Sequence, residues 1–115
     1  MLPKNNRLTK NGSFGYVYKN GARSHCRTLT LLFVENSNES VRVGFSVNNK
    51  IGKAIVRNKV KRRMRAIVRD KVKFLKGCQC VFVAKQGIDE LEYEELSCQI
   101  DKLFTKAGLY KTEEV

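Results

Sequence analysis

Positive charge is concentrated between residues 50 and 73 of this chain. Lys and Arg occupy 11 of these 24 positions, and Asp70 is the single acidic residue among them. Arginine side chains bind phosphate groups bidentately, and lysine side chains bind them as point charges. Asparagine, present at position 58, donates to phosphate or reads a base edge. The segment therefore predicts contact with a partner that carries many phosphate groups.

The four thiols and the one imidazole are the other groups that could do chemistry. Cys78 and Cys80 are two residues apart and the other two thiols are distant, whereas structural zinc sites use paired C-x-x-C motifs. His25 precedes Cys26, but neighbouring residues of an extended chain point to opposite faces, which disfavours a Cys–His nucleophile. We therefore expect free thiols, no metal bound by the protein and no catalytic residue.

The composition narrows the class of protein. The 115 residues include 23 Lys and Arg against 11 Asp and Glu, giving a net charge of +12. Such an excess is typical of proteins that bind nucleic acid or an anionic surface, and it disfavours a small-molecule substrate. No segment approaches the roughly 18 apolar residues of a membrane span, and residues 1–10 lack the apolar run of a secretory signal. We expect one domain in the cytoplasm, without membrane association.

Hydrophobic periodicity predicts the elements that would position the positive charge. The first two predicted strands, over 28–35 and 41–47, are expected to pair as a hairpin, and the apolar run CVFVA at 80–84 is expected to form a buried central strand. The full prediction is a helix over 11–19, these two strands, a long helix over 54–75, a strand over 80–84 and a helix over 92–107. The order α-β-β-α-β-α predicts an α+β fold, with helices packed on a small sheet.

The long predicted helix has an apolar face and a basic face. Apolar residues recur at spacings of three and four and form the expected core stripe: Val56, Val60, Met64, Ile67 and Val68. On the other side, a stripe about 60° wide contains Asn58, Arg62, Arg65 and Arg69. Lys61 flanks this stripe on one edge, and Lys59 and Arg63 lie round the other.

Three interpretations of the basic stripe are open: a solvated surface, a membrane contact and a nucleic-acid contact. A solvated helix face usually mixes charges of both signs at i, i+4 spacing. Membrane binding would use the apolar side that the core needs. Nucleic acid is therefore favoured, and Lys50, Gly52 and Lys53 add an anion-binding start to the helix.

The segment VRVGFSVNNKIGKAIVRNKVKRRMRAIVR resembles the signature region of the bacterial ribonuclease P protein component. In that family, a strand ending in S-V leads into K-x-G-x-A-x-x-R-N-x-x-K-R-x-x-R. Position 59 has Lys where the family's RNR motif has its second Arg. The opening NRLTKNGSFGYVYKNG, the strand CVFVAK and the last helix also resemble the family. The matching signature residues are Lys50, Gly52, Ala54, Arg57, Asn58, Lys61, Arg62 and Arg65.

The resemblance implies a single ribonuclease P protein domain over residues 1–115. The fold would be a two-layer α/β sandwich, ribosomal-protein-S5-domain-2-like, with a left-handed β-α-β crossover. The function would be that of an accessory subunit in a ribonucleoprotein endonuclease, a hydrolase that removes the 5′ leader from precursor tRNA. Its RNA subunit would hydrolyse the phosphodiester with bound Mg²⁺. The implied partners are this RNA subunit and precursor tRNA.

The basic stripe predicts an RNA-binding surface, and the resemblance implies a second site, for the leader. The leader would bind in a cleft between the first helix and the sheet, with Phe14 and Tyr18 on the helix and Lys53 at the basic end. Ordinary helix-to-sheet packing is the alternative role for the two rings. A stand-alone RNA-binding protein, such as a ribosomal protein, is the second function class consistent with the charge. The predicted RNA-binding residues are Lys50, Lys53, Arg57, Asn58, Lys59, Lys61, Arg62, Arg65 and Arg69.

Overall fold

The computed structural model of the protein describes residues 6–8, 11–37 and 40–111. Short 3₁₀ turns lie at Asn49–Ile51, Val72–Phe74 and Ile88–Glu90. Within the described residues, no helix has the length and apolar content needed to cross a bilayer. In chain order the main elements are α1 (Asn11–Asn20), β1 (Ala22–His25), β2 (Leu29–Glu35), β3 (Val41–Ser46), α2 (Ala54–Arg69), β4 (Cys78–Ala84) and α3 (Tyr93–Ala107).

The strands form one sheet in the order β1-β2-β4-β3. Strand β2 is antiparallel to both of its neighbours, and β3 is parallel to β4. Helix α2 therefore connects two adjacent parallel strands as a β-α-β crossover. This arrangement confirms the predicted α+β class, while the left hand of the crossover and its ribosomal-protein-like type stay predictions.

The hairpin predicted between residues 28–35 and 41–47 is wrong, because β4 lies between β2 and β3. The physical reason is the apolar character of β4 on both of its faces. Phe82 and Val81 point to opposite faces, and both are fully buried. A strand of this kind is most stable in the interior of a sheet, with a partner on each side.

Strand β1 is an element that the sequence pattern did not predict, so the order is α-β-β-β-α-β-α instead of α-β-β-α-β-α. Its sequence, ARSH, has no apolar alternation, and Ser24 is its single buried residue. Hydrogen bonds to β2 stabilise it, and the connecting turn is closed by the Cys26 N–H, which donates to the Leu29 carbonyl at 2.8 Å. Hydrophobic periodicity cannot detect an edge strand formed by backbone pairing alone.

Helix α2 ends at Arg69, six residues earlier than predicted. Leu75 is buried and forms an isolated bridge with Tyr110. The chain must leave the helix to bring Leu75 into that extended contact. The 3₁₀ turn at Val72–Phe74 makes this change of direction.

The larger core lies between the sheet and the pair α2 and α3. Phe82 is at its centre, with its ring centroid 5.9 Å from that of Phe45 and 5.3 Å from that of Phe104. Four of the five residues in the predicted core stripe of α2 are buried, and Val56 is half-buried. The buried residues that α2 contributes are Val60, Met64, Ile67 and Val68.

Helix α1 packs on the opposite face of the sheet. Val17 is fully buried there with Leu8, Leu32 and Val81. The start of α1 lies very close to β3, since a Cβ atom built on Gly44 would be 2.4 Å from Cζ of Phe14. Glycine at position 44 therefore lets the first turn of α1 rest on β3.

Candidate nucleic-acid interface

The turn before α2 fixes the backbone position of the first two lysines of the signature segment. The Asn48 side chain accepts a hydrogen bond from the Lys50 N–H at 3.0 Å, which begins the 3₁₀ turn. Gly52 follows with φ +155°, a conformation that side chains disfavour. The Arg57 Nε then donates to the Gly52 carbonyl at 3.2 Å. The N-N-K-I-G-K sequence thus forms a capped turn that presents Lys50 and Lys53, both exposed, at the start of α2.

The nine predicted RNA-binding residues all have solvent access. Lys50, Lys53, Asn58, Lys59, Arg62 and Arg69 are exposed, and Arg57, Lys61 and Arg65 are half-buried. In the part of the chain that the structure describes, Arg69 is the one member with an ion pair, to Asp70 at 3.6 Å. This concentration of like charge lacks internal compensation among the described residues, and binding of a polyanion would relieve it.

The structure brings Phe14 and Arg65 together, although the sequence assigned them to separate surfaces. Both line a small cavity of about 90 Å³ at the β3 edge of the sheet, beside Gly44. Residues 6–8 close the other side, where the Leu8 N–H donates to the Val43 carbonyl at 3.0 Å. The predicted leader cleft and the predicted RNA-binding stripe are therefore continuous at this edge.

The two aromatic residues predicted for the leader cleft, Phe14 and Tyr18, have different environments. Phe14 is half-buried and packs against the buried cluster around Val17, under α1. This contact is the helix-to-sheet packing that is the alternative to a role in leader binding. Tyr18 is 41% exposed. Of the two rings, Tyr18 is thus the one available to an external partner.

One row of cross-strand neighbours, on the face of the sheet that α1 covers, contains three polar residues. The strand registers align His25, Thr30, Val83 and Ser46 across the four strands. His25 Nδ1 is 3.2 Å from Thr30 Oγ1, and the imidazole is exposed. The sequence could not align these residues, because β1 was not predicted and the predicted strand order was wrong.

Comparison with known proteins decides the family. A family model described as Ribonuclease P matches residues 2–108. The ribonuclease P protein component of Bacillus velezensis is 38% identical over 111 residues, which cover 96% of each chain. The chain belongs to the ribonuclease P protein family. Its function is therefore in tRNA processing, as part of a ribonucleoprotein nuclease, and not that of an unrelated RNA-binding protein.

Solved structures of ribonuclease P proteins have the same fold. The protein from Thermotoga maritima is 27% identical, with a TM-score of 0.80, over 87% of this chain and 96% of that one. A mutant of the Staphylococcus aureus protein is similar in fold, with a TM-score of 0.85 and 24% identity, over 91% of this chain and 90% of that one. These comparisons confirm the predicted family and fold class.

Two of the four thiols have the character of core side chains, whereas Cys26 is half-buried and Cys98 is exposed. Cys78 and Cys80 are buried, with their Sγ atoms 3.3 Å apart. The hydrogen bond between the Cys78 and Cys80 thiols, together with burial, raises the pKa of Cys80 well above its ordinary value. A raised pKa favours the neutral thiol, whereas zinc and nucleophilic chemistry both require the thiolate.

Removal of metal ions with a zinc-selective chelator is expected to leave the Tm of the free protein unchanged. Within the described residues, no group of three or more His, Cys, Asp or Glu side chains is arranged to bind a metal. Thermal unfolding followed by circular dichroism, with and without the chelator, checks this expectation. A lower Tm that added zinc restores would contradict it.

Proposed function

We propose that this chain binds the RNA subunit of ribonuclease P through α2 and binds the 5′ leader of precursor tRNA beside α1. In this way it assists endonucleolytic removal of the leader, which gives the mature 5′ end of the tRNA. The observation that carries the proposal is the solvent-accessible basic stripe on α2, in a chain that belongs to the ribonuclease P protein family. A cytoplasmic location is part of the same proposal.

The types of side chain involved indicate that the protein contributes binding and that the RNA subunit contributes hydrolysis. The proposed contacts are made by cations, one amide and aromatic rings. Such groups bind phosphates and stack on bases, but they do not supply a general base at neutral pH. Hydrolysis of the phosphodiester is therefore assigned to the RNA subunit and its Mg²⁺, while the protein contributes binding energy and position.

The leader site is proposed where the two surfaces meet. A single-stranded leader has unpaired bases, and an exposed ring such as Tyr18 offers them a stacking surface. Lys53, exposed at the start of α2, supplies positive charge for the phosphates of the leader. The continuity of the cleft with the stripe would let one protein bind both RNA molecules.

Replacement of Arg65 by alanine is expected to weaken binding to the RNA subunit and to flatten its salt dependence. Each phosphate contact contributes about one unit to the slope of log K against log salt concentration. We expect Arg65→Ala to reduce that slope by about one unit, measured in filter-binding titrations over a series of salt concentrations.

The matched control for this experiment is Lys76→Ala, which removes one exposed cation just before β4. Its slope is expected to equal that of the wild-type protein. An unchanged slope for Arg65→Ala would mean that this side chain contacts solvent alone and that the proposed RNA surface is misplaced.

A further inference from the structure

A second cavity lies between α2 and the start of α3. Its volume is about 390 Å³, which is within the usual range for small-molecule sites. Two exposed cations and one half-buried cation of α2 line it, together with an aromatic ring at the start of α3. The lining residues are Lys59, Arg62, Arg63, Ala66 and Tyr93.

The walls of this cavity are fixed by hydrogen bonds. Arg63 Nη1 donates to the Leu91 carbonyl at 3.1 Å, which ties α2 to the segment before α3. The start of α3 is closed by a capping box, in which the Glu92 N–H donates to a Glu95 side-chain oxygen at 3.1 Å. Tyr93 is the first residue of the helix so capped, and it is 44% exposed. The ring is therefore attached to a well-defined helix end.

The charge across the cavity is asymmetric. Lys59 and Arg62 are on the α2 side, whereas Glu92, Glu94 and Glu95 are exposed at the start of α3. A phosphate group would be attracted to α2 and repelled from α3. An uncharged aromatic group suits the α3 side, where the Tyr93 ring offers a stacking surface.

We propose that this cavity binds one unpaired nucleotide of the RNA subunit. The base stacks on Tyr93, and its phosphate binds Lys59 and Arg62. Ile55, which is 82% exposed and one helical turn before Lys59, extends the contact with an apolar surface for the adjoining sugar. The inference rests on the proposed binding of the RNA subunit and adds to it a specific pocket and a residue of α3.

The test compares three variants for binding to the RNA subunit without tRNA. We expect Tyr93→Ala to raise Kd about tenfold. Tyr93→Phe, which retains the ring, is expected to change Kd by less than about twofold. The control Tyr16→Ala removes a similarly exposed tyrosine from α1 and is expected to bind as the wild-type protein does. The salt slope is expected to be the same for all three, because no charge is removed.

A cavity-filling variant keeps the proposal testable if Tyr93→Ala lowers the Tm. Ala66→Leu fills the floor of the cavity, retains every charge and retains high helix propensity. It is expected to weaken binding by a similar factor. A photo-crosslinking side chain at position 93 is expected to react with an unpaired nucleotide of the RNA subunit.

Two outcomes would overturn the pocket assignment. The first outcome is that Tyr93→Ala and Ala66→Leu both bind the RNA subunit with wild-type affinity. The second is that a crosslinker at position 93 reacts with paired nucleotides, or with precursor tRNA alone. If Arg65→Ala still weakens binding, the proposed function stands without the pocket. If Arg65→Ala also binds as the wild-type protein does, the proposed function itself fails.

Discussion

Replacement of Tyr18 by alanine is expected to weaken binding of precursor tRNA to the holoenzyme about tenfold or more. Binding of mature tRNA, which lacks the leader, is expected to stay the same. The reason is the location of the ring, which is 41% exposed on α1 and available to an unpaired base. One base–aromatic stack contributes about 1–3 kcal/mol, enough for a tenfold change in Kd.

The stability of the Tyr18→Ala variant separates a binding role from a packing role. Truncation of a fully buried aromatic residue lowers the free energy of unfolding by about 3–5 kcal/mol. A smaller loss is expected at this partly exposed position. Tyr16→Ala, which removes another exposed tyrosine of α1, serves as the control and is expected to leave both tRNA affinities unchanged. Equal losses for precursor and mature tRNA, with a large loss of stability, would show that Tyr18 is a packing residue.

A triple variant of α2 is expected to have the largest effect on assembly. Lys61→Ala, Arg62→Ala and Arg65→Ala together remove three cations from the basic stripe and its flank. We expect affinity for the RNA subunit to fall about a hundredfold and the salt slope to fall by about three units. Salt-dependent binding titrations with the isolated RNA subunit measure both quantities.

The control for the triple variant removes the same charge elsewhere. Lys76→Ala, Lys102→Ala and Lys111→Ala together delete three exposed lysines outside α2. This variant is expected to lose far less affinity. If the two triple variants lose the same affinity, overall charge governs binding and the stripe has no special role.

The sequence predicted those elements whose stability depends on an apolar face. The repeat of Val60, Met64, Ile67 and Val68 correctly indicated which side of α2 enters the core. The predicted last helix, over 92–107, differs from α3 by one residue. In both helices, burial follows directly from residue spacing, so the pattern contains the necessary information.

The strand order could not be predicted from local pattern. Strand β1 depends on backbone pairing with β2, and β4 enters the sheet between two strands that are closer in sequence to each other. These pairings join residues that are distant in the chain. Their geometry therefore depends on the whole fold and not on any one segment.

The candidate site likewise combines residues that the local pattern identified with contacts that it could not predict. The basic residues of α2 were identified from their density and helical spacing. Tertiary structure was needed to bring Phe14 beside Arg65 at the β3 edge, and to bring Tyr93 beside Arg62 between two helices. Contacts between elements depend on packing that no single periodic pattern encodes.

The most direct test of the proposed function is reconstitution of leader cleavage. The RNA subunit of ribonuclease P is incubated with precursor tRNA at a low Mg²⁺ concentration, with and without this chain, and the rate of leader release is measured. The ribonuclease P protein of Bacillus velezensis, 38% identical, serves as the positive control. The proposal predicts that this chain increases the rate and gives the mature 5′ end. An unchanged rate, under conditions in which the control protein increases it, would contradict the proposal.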